Sequence, residues 1–590
     1  MLPKEDFIPF AELNERAPNP RKAEKLIKKG EAAAEKQIPT LLASRYLDFF
    51  RNGNRSRYQS VHAERRSILH DLSLAELCEG KGRFAEPLMD IVWATMEEAS
   101  WMIPAHLHHN LLGEEYKLPP VYKPGQLHGI ELLAAKTGAE LAAVLYFHRD
   151  LLDSITPIIC EKLEYMLHER IILPYLERNY HWLGENGEKV NNWNPWIASN
   201  VLFTAAVAES DPYAREKLVE KVLRALDNYT ASLPDDGGCD EGPGYWCEAG
   251  ASYFDCLEIL YDMTGGKINV YDHPFVKAMG EYICTMNIDG KTFVNFADCS
   301  PRMHPDGNHL RRFGEKCSSK LLCDFGDAMA TLGDTKTDAP CIYRALRSLI
   351  SDDVKPKVIE GAPRSILPSL KVATARQFSD TSRGMFFAFK GGNNKESHNH
   401  NDVGNFIVYY DGKPVIIDTG VGEYTKQTFS ADRYKLWYMQ SHYHNLPAFD
   451  GVGEEFGPGF RSKNEIYDKE SGSYSIELCD AYPLDAGIIS YRRKCQLTDG
   501  IFTLADTISL DKEREIEFRF MTHTRPSVTD DGAIALSEGR VMRFEPKMEI
   551  LIEEKPANDP KLEKSWGTDT FYRICLKIRA KELSASFIIE

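Results

Sequence analysis

The chain has 590 residues, of which 43% are hydrophobic and 27% are charged, and its formal net charge is −17. This length exceeds one ordinary hydrophobic core and predicts roughly two to four globular domains. The acidic balance argues against general nucleic-acid binding, although it is compatible with a local basic groove for an anionic ligand.

The N-terminal residues lack a charged segment followed by an apolar run, and no window of about 18 uninterrupted apolar residues occurs. We therefore expect no signal peptide, no membrane span and a cytoplasmic protein, or a periplasmic or secreted one if a signal was removed. Thirteen cysteines without a CxxC pair indicate mostly free thiols. The oligomeric state is left open by the sequence.

Apolar residues recur three and four apart from residue 21 to about residue 350. About a dozen helices with short connections would form a layered bundle, a solenoid or a closed toroid, and periodicity does not choose among them. Residues 351–369 are rich in Pro, Asp and Lys and predict a linker. From residue 370 to 590 the period falls to two in many short runs, which predicts an antiparallel sandwich. The predicted fold class is α+β multidomain, with a helical domain at 1–350.

Four candidate metal or catalytic side chains flank one hairpin between Ser397 and Asn445. Asp411-Gly412 separates two apolar runs and predicts a tight turn that carries Asp418 back towards two histidines. Residues two apart on a strand point the same way, so His398 and His400 can converge. Imidazoles with a carboxylate suit zinc, with manganese or iron as alternatives. We predict three metal ligands and leave His398 for chemistry; the other interpretation is ordinary polar loop residues. The ligands are His400, Asp418 and His444.

Three asparagines and two tryptophans stand together in residues 191–196. One interpretation makes Asn194 a helix N-cap and the tryptophans core residues. The other is a sugar site, with Trp193 stacking on a pyranose and Asn191 or Asn192 donating amide hydrogens to an anionic group.

Residues 235–246, DDGGCDEGPGYW, place Tyr245 and Trp246 after a glycine-rich stretch. The simplest interpretation is a turn with buried aromatics. A tyrosine on such a loop, facing a cleft, could instead exchange a proton with substrate.

Basic and aromatic residues elsewhere are candidates for binding an acidic substrate, although most arginine runs are solvated helix faces. The candidates are Arg55, Arg57, Trp101 and His106, with Trp246 after the glycine-rich stretch and Arg433 from the basic, aromatic run before His444.

The motifs WMIPAH, NNWNPW, DEGPGYW and NHNDVGNFIVYYDGKPVIIDTG, with the later SHYHN, resemble the heparinase II/III-like polysaccharide lyases. The resemblance covers most of the chain. It implies an incomplete α/α toroid followed by an antiparallel β-sandwich, and β-elimination on uronic-acid polysaccharides.

The resemblance also implies roles for individual residues. Tyr245 matches the tyrosine that acts as general acid, or as both base and acid, and His398 matches the catalytic histidine. Asn191 or Asn192 falls where the family neutralises the uronate carboxylate, although some members carry histidine there. The three predicted metal ligands match the family's metal site, usually zinc.

Three functions follow as hypotheses. The first is a carbon–oxygen lyase that acts on glycosaminoglycans such as hyaluronan, chondroitin sulfate or heparan sulfate, or on alginate, with one divalent metal ion. The second is a metal-dependent hydrolase or cupin-like oxygenase. The third is a non-catalytic sugar-binding protein.

Overall fold

The computed structural model describes residues 10–590 except 111–116, 124, 189, 334–338, 360, 380 and 469. Within this part of the chain, two compact units are present. The first contains the described residues of Met1–Ser232, Cys247–Tyr271 and Thr335–Val354, and the second contains those of Leu233–Trp246, Asp272–Asp334 and Lys355–Glu590.

The α-helices of the described residues are numbered in chain order. They are α1 (Ala11–Glu15), α2 (Pro20–Ala34), α3 (Ala43–Asn52), α4 (Ser56–Glu79), α5 (Ala85–Met96), α6 (Leu132–Ile155), α7 (Ile158–Leu167), α8 (Leu173–Glu177), α9 (Trp193–Ala208), α10 (Pro212–Ser232), α11 (Pro243–Trp246), α12 (Gly250–Met263), α13 (Pro274–Thr285), α14 (Gly307–Lys316), α15 (Lys320–Thr331), α16 (Ile342–Leu349) and α17 (Pro560–Trp566). One π-helical turn, His168–Ile172, joins α7 to α8.

The helices of the first unit bury their faces as their residue patterns predict. α2 is amphipathic and buries Leu26, Gly30 and Ala33, which are spaced by four and three residues. α6 is buried along most of its length by small and aliphatic side chains, and the Glu131 carboxylate before it accepts from two N–H groups of its first turn. None of the helices in the described ranges is long and apolar enough to span a membrane.

The β-strands are β1 (Asn287–Asp289), β2 (Thr292–Phe293), β3 (Arg364–Leu367), β4 (Val372–Arg376), β5 (Met385–Lys390), β6 (Asn393–Asn394), β7 (Phe406–Tyr410), β8 (Lys413–Ile416), β9 (Ala448–Phe449), β10 (Gly457–Arg461), β11 (Lys463–Asp468), β12 (Ser473–Glu477), β13 (Ile488–Thr498), β14 (Ile501–Thr522), β15 (Ser527–Val528), β16 (Ile534–Ala535), β17 (Val541–Glu545), β18 (Glu549–Pro556) and β19 (Thr570–Ile589). All belong to the second unit.

Two antiparallel sheets form the bulk of the second unit. One has ten strands, with β14 and β19 at its centre, and the other has five in the order β3-β4-β5-β7-β8. One apolar core contains residues of both sheets, such as Phe387 and Phe406 from the smaller and Phe502, Phe518 and Phe587 from the larger. Face-to-face packing of two antiparallel sheets through a shared core is a β-sandwich.

The strands follow the period-two pattern of the sequence. In β14, Phe502, Leu504 and Ile508 alternate with exposed or half-buried residues. The Asp411-Gly412 hairpin between β7 and β8 is confirmed, because both residues have positive φ, at 48° and 73°, as the tight hairpin turn requires.

The compact units differ from the continuous division at residue 350 that the sequence suggests. Residues 233–246 and 272–334 group with the C-terminal strands. Tyr245 therefore belongs to the same unit as the predicted metal ligands, although the first of them, His400, lies 155 residues later in the chain.

Candidate active site and metal centre

The centre of the candidate site is Asp298, whose side chain is fully buried in the second unit. His398 Nδ1 lies 2.8 Å from its Oδ2, and the Tyr424 hydroxyl donates to the same oxygen at 2.9 Å. His400 Nε2 lies 3.1 Å from Oδ1, and Arg433 Nη2 donates to Oδ1 at 2.7 Å. One carboxylate thus holds four side chains from two separate chain segments.

Burial by itself would raise the pKa of Asp298. The hydrogen bonds from His398 and His400 and the charge of Arg433 outweigh it and hold this pKa well below its ordinary value. Asp298 is therefore an anion that accepts hydrogen bonds and carries no proton of its own.

Tyr245 stacks on His398, with ring centroids 4.3 Å apart and planes inclined by 26°. Its hydroxyl lies 2.7 Å from the Tyr424 hydroxyl. Burial, then the charge of Asp298, raises the pKa of Tyr424 well above its ordinary value. Tyr424 therefore stays protonated, and its hydroxyl donates a hydrogen bond to Asp298. The Tyr424 oxygen then accepts from Tyr245. The Tyr245 hydroxyl thus donates a hydrogen bond to Tyr424, and the Tyr424 hydroxyl donates one to Asp298.

Both ring nitrogens of His398 face carboxylates, since Nε2 lies 3.4 Å from Glu241 Oε2 and Nδ1 faces Asp298. Burial would lower its pKa, but the hydrogen bond and charge of Asp298 and the charge of Glu241 raise it above the ordinary value. The expectation that residues 398–400 form a strand is wrong. His398 has φ +54°, a left-handed conformation that is rare outside glycine and is found at functional sites.

Two glycines let their loops approach the segment that carries Asp298. A Cβ on Gly242, whose φ is +90°, would lie 2.5 Å from the Phe296 carbonyl oxygen. A Cβ on Gly420, whose φ is +74°, would lie 2.8 Å from the Cys299 carbonyl oxygen. Only glycine fits either position, which explains why the Tyr245 loop and the segment after Asp418 carry glycine there.

The predicted metal ligands His400, Asp418 and His444 are brought together and fully buried. One potential ligand atom of each lies within 4.8 Å of the others. His400 Nδ1 and His444 Nε2 have no hydrogen-bond partner among the described residues. Buried nitrogen lone pairs beside a carboxylate are the donor set that zinc prefers, so these residues fit the group.

The outer contacts of this set resemble those of bound metal sites. Asp298 holds His400 Nε2, while Asp418 accepts from Asn405 Nδ2 at 2.8 Å and from the Gly420 amide at 2.7 Å. Histidine ligands usually place their second nitrogen on a carboxylate, which fixes tautomer and orientation.

In the first unit, three of the predicted substrate-binding residues meet. His106 Nε2 lies 3.4 Å from Arg55 Nη2, and the His106 ring lies 4.8 Å from the half-exposed Trp193. The Asn191 side-chain Oδ1 accepts from the Trp193 backbone N–H, and Asn191 is partly exposed, whereas Asn192 is 2% exposed.

Four predicted substrate-binding residues have other surroundings. Trp101 and Trp246 are 2% and 1% exposed and donate to backbone carbonyls of Thr95 and Met279. They are core residues, which corrects the expectation that they bind substrate, because a buried indole presents no free face. Arg433 donates to Asp298 and to two backbone carbonyls, so it supports the site from behind. Arg57, 63% exposed, pairs with Asp48 on the surface.

Sequence reasoning missed Asp298, Tyr424 and Glu241. Nothing in the sequence around Asp298 marks it, because its partners lie about 100 and 130 residues away. The other two had a weak signal, since each lies in a stretch singled out for a different residue.

Comparison with known proteins gives the family of the C-terminal part. Residues 373–582 match the family described as heparinase II/III-like, C-terminal. A search of curated protein sequences finds no significant match.

Solved structures give the fold. A heparinase III superposes with a TM-score of 0.61 at 12% identity, over 98% of this chain and 93% of that one. A heparinase III described as the BT4657 gene product gives 0.60 at 13% identity, over 98% and 84%. The heparan sulfate lyase HepC from Pedobacter heparinus gives 0.55 at 12% identity, over 98% and 86%.

These likenesses confirm the predicted fold class, an α/α toroid part followed by an antiparallel β-sandwich. They also confirm the family resemblance that the motifs predict. Residues 373–582 are therefore similar to the C-terminal domain of the heparinase II/III-like family.

Proposed function

We propose that this protein is a polysaccharide lyase that cleaves uronic-acid-containing polysaccharides by β-elimination. The observation that carries the proposal is the Tyr245 hydroxyl, stacked beside His398 and hydrogen-bonded through Tyr424 to the buried Asp298. The fold similarity to heparinase III and to a heparan sulfate lyase supports glycosaminoglycans as the substrate class, with alginate as an alternative.

Tyr245 is the proposed proton-exchanging residue, as base and then as acid. The Tyr245 phenol first loses its own proton to solvent, and the resulting phenolate takes the proton from C5 of the uronate. The electrons of that C–H bond form the C4–C5 double bond. The bond from C4 to the leaving oxygen breaks, and Tyr245 returns the proton to that oxygen. Positioned proton transfer contributes about a hundred- to ten-thousandfold.

His398 is the proposed positioning partner of Tyr245. Both of its ring nitrogens face carboxylates, one that of Asp298 and the other that of Glu241. Its ring lies against the tyrosine ring and fixes the orientation of the phenol, whose hydroxyl is hydrogen-bonded to that of Tyr424.

The uronate carboxylate must be neutralised as charge develops on it, because removing the adjacent proton creates an enolate-like dianion. We propose the Asn191 amide for this role. Asparagine donates two hydrogens without adding charge, and Asn191 is the more accessible of the two candidate asparagines.

We propose that His400, Asp418 and His444 hold one divalent cation, with zinc favoured over manganese by the two imidazoles. When bound, it would supply a charge that fixes the loops of the site. All three ligands are fully buried, which favours a structural ion over the open site of a metal-dependent hydrolase or oxygenase. The burial of Trp101 and Trp246 likewise counts against a purely sugar-binding protein.

The test is incubation of the purified protein with hyaluronan, chondroitin sulfate, heparan sulfate and alginate while ultraviolet absorbance of the unsaturated uronate is followed. At least one substrate should give rising absorbance. The matched control is Tyr434→Phe, because the Tyr434 hydroxyl bonds to Asn399 outside the Tyr245 chain. Absence of the unsaturated product with all four polysaccharides would count against the lyase.

A further inference from the structure

Arg170 lies in the π-helical turn His168–Ile172 of the first unit. Its guanidinium carbon is 4.8 Å from the ring centre of the buried Trp101. π-turns cost regular helical hydrogen bonding and are frequent at functional sites. This turn places the Arg170 cation against the Trp101 indole. Trp101 belongs to the motif WMIPAH, which the proposed mechanism does not use.

The Arg170 side chain is half-buried, and two of its three guanidinium nitrogens are buried without acceptors in the described part of the chain. Its Nε and Nη1 atoms have no partner among the residues that the structure describes. Arginine carries five N–H donors, and leaving buried donors unmade costs about 1–3 kcal/mol or more for a charged group. A native protein retains such a group when something else supplies the acceptors.

The carboxylate whose charge acts on Arg170 is already hydrogen-bonded to two other arginines. Glu98 accepts from Arg65 Nε at 2.8 Å and from Arg66 Nη1 and Nη2 at 2.8 and 2.5 Å. Glu98 acts on Arg170 through its charge, so the set of Arg65, Arg66, Arg170 and Glu98 holds three guanidiniums and one carboxylate. The set has a net positive charge that it does not balance internally.

The surrounding residues report the same positive field. His128 stacks on Tyr122 with ring centroids 3.7 Å apart. Burial, then the charges of Arg170 and Arg178, lowers the pKa of His128 to about 4. His128 is therefore neutral, and neither its imidazole nor the Tyr122 phenol supplies a negative charge to balance Arg170. A bound anion would supply that charge.

We propose that Arg170, backed by Trp101, forms an oxyanion-binding site that takes a sulfate or carboxylate group of an acidic saccharide. Charge-assisted hydrogen bonds from a guanidinium suit either oxyanion. The assignment to a saccharide rests on the proposed lyase function, whereas binding of the bare anion does not.

The first test measures thermal unfolding in sodium sulfate and in sodium acetate, each against sodium chloride of equal ionic strength. Sulfate stabilises most proteins by exclusion from their surface, so the informative quantity is the difference between wild type and Arg170→Gln. We expect a saturable stabilisation of wild type by one of the anions, and binding weakened roughly 10- to 100-fold in the variant, since hydrogen bonds to charged groups are lost.

Two further variants complete the design. Arg170→Lys keeps the charge but not the planar fork, and should bind more weakly than wild type and more tightly than Arg170→Gln. Arg57→Gln removes an exposed arginine and should behave as wild type. Equal anion-dependent shifts in wild type and Arg170→Gln, or no shift in wild type beyond chloride, would overturn the proposal. If Arg170→Gln does not fold, calorimetric titration of wild type with sulfate and acetate decides.

An activity arm separates this inference from the proposed function. On an accepted uronan, Arg170→Gln should raise KM and leave kcat nearly unchanged, with a larger effect on sulfated chains if sulfate is the ligand. Anion binding without any unsaturated product would refute the lyase and retain the site. If the protein catalyses elimination and Arg170→Gln leaves both KM and the anion-dependent shift unchanged, the lyase function is retained and the anion site is refuted.

Discussion

Two buried carboxylates organise the polar interior of this protein, and their partners differ. Glu98 in the first unit is held by the guanidiniums of Arg65 and Arg66. Asp298 in the second unit is held by two histidines, a tyrosine and Arg433.

The difference separates a fixed charge cluster from a proton-exchanging one. Arginine does not lose its proton in proteins, so the Glu98 cluster fixes geometry and keeps a positive charge. Histidine and tyrosine exchange protons, so the Asp298 cluster suits the chemistry that we propose at Tyr245. Four experiments test this distinction.

Tyr245→Phe should lower the elimination rate about a hundred- to ten-thousandfold, because it removes only the hydroxyl that exchanges the proton. The ultraviolet assay on the accepted uronan measures it, and thermal unfolding should change little. Full activity in this variant would contradict the proposed role of Tyr245.

Glu98→Gln should destabilise the protein by about 3–5 kcal/mol, because Arg65 and Arg66 would stay buried without a counter-charge. Denaturant unfolding at neutral pH measures it. A control is Glu24→Gln, which breaks an exposed pair with Lys28 and should cost well under about 1 kcal/mol.

The same variant tests the pH dependence. Burial raises the pKa of Glu98, but the charge and hydrogen bonds of Arg66 outweigh it and lower the folded value below the ordinary one. The stabilisation is then fully present above the unfolded pKa of about 4.3 and is lost as pH falls through the folded value. Glu98→Gln should remove that part of the acid sensitivity. Identical acid profiles would contradict the assignment.

Asp298→Asn should lower both activity and zinc affinity about 10- to 100-fold, because the carboxylate holds His400 from outside the ligand set and also holds His398 and Tyr424. Metal content after dialysis against a chelator measures the affinity, and the ultraviolet assay measures the activity. Asp432→Asn, at an exposed pair with Lys435, is the control. A fall in activity with unchanged zinc retention would separate the two roles.

Arg57→Gln should change stability and KM least, by no more than about 0.5 kcal/mol, because its ion pair with Asp48 is exposed to solvent. Thermal unfolding and KM on the accepted uronan measure it. A large increase in KM would restore Arg57 as a substrate-binding residue.

The sequence determined the fold class and the local elements, because these depend on periodicity and on turn residues that are local properties. The change from helical to alternating spacing near residue 370 predicts a helical part followed by a β-sandwich, the toroid itself comes from the family resemblance, and Asp411-Gly412 predicts its hairpin. Histidine and aspartate spacing predicts the cluster of His400, Asp418 and His444.

Only the tertiary structure decided which polar groups meet around Asp298. Its partners come from a loop about 100 residues later and from another about 130 residues later, and no local pattern encodes such contacts. Only the tertiary structure likewise decided which aromatic residues are buried. Trp101 and Trp246 stand in motifs that resemble those of the lyase family, and both lie in the core. Local pattern fixes what a residue can do, whereas packing fixes what it can reach.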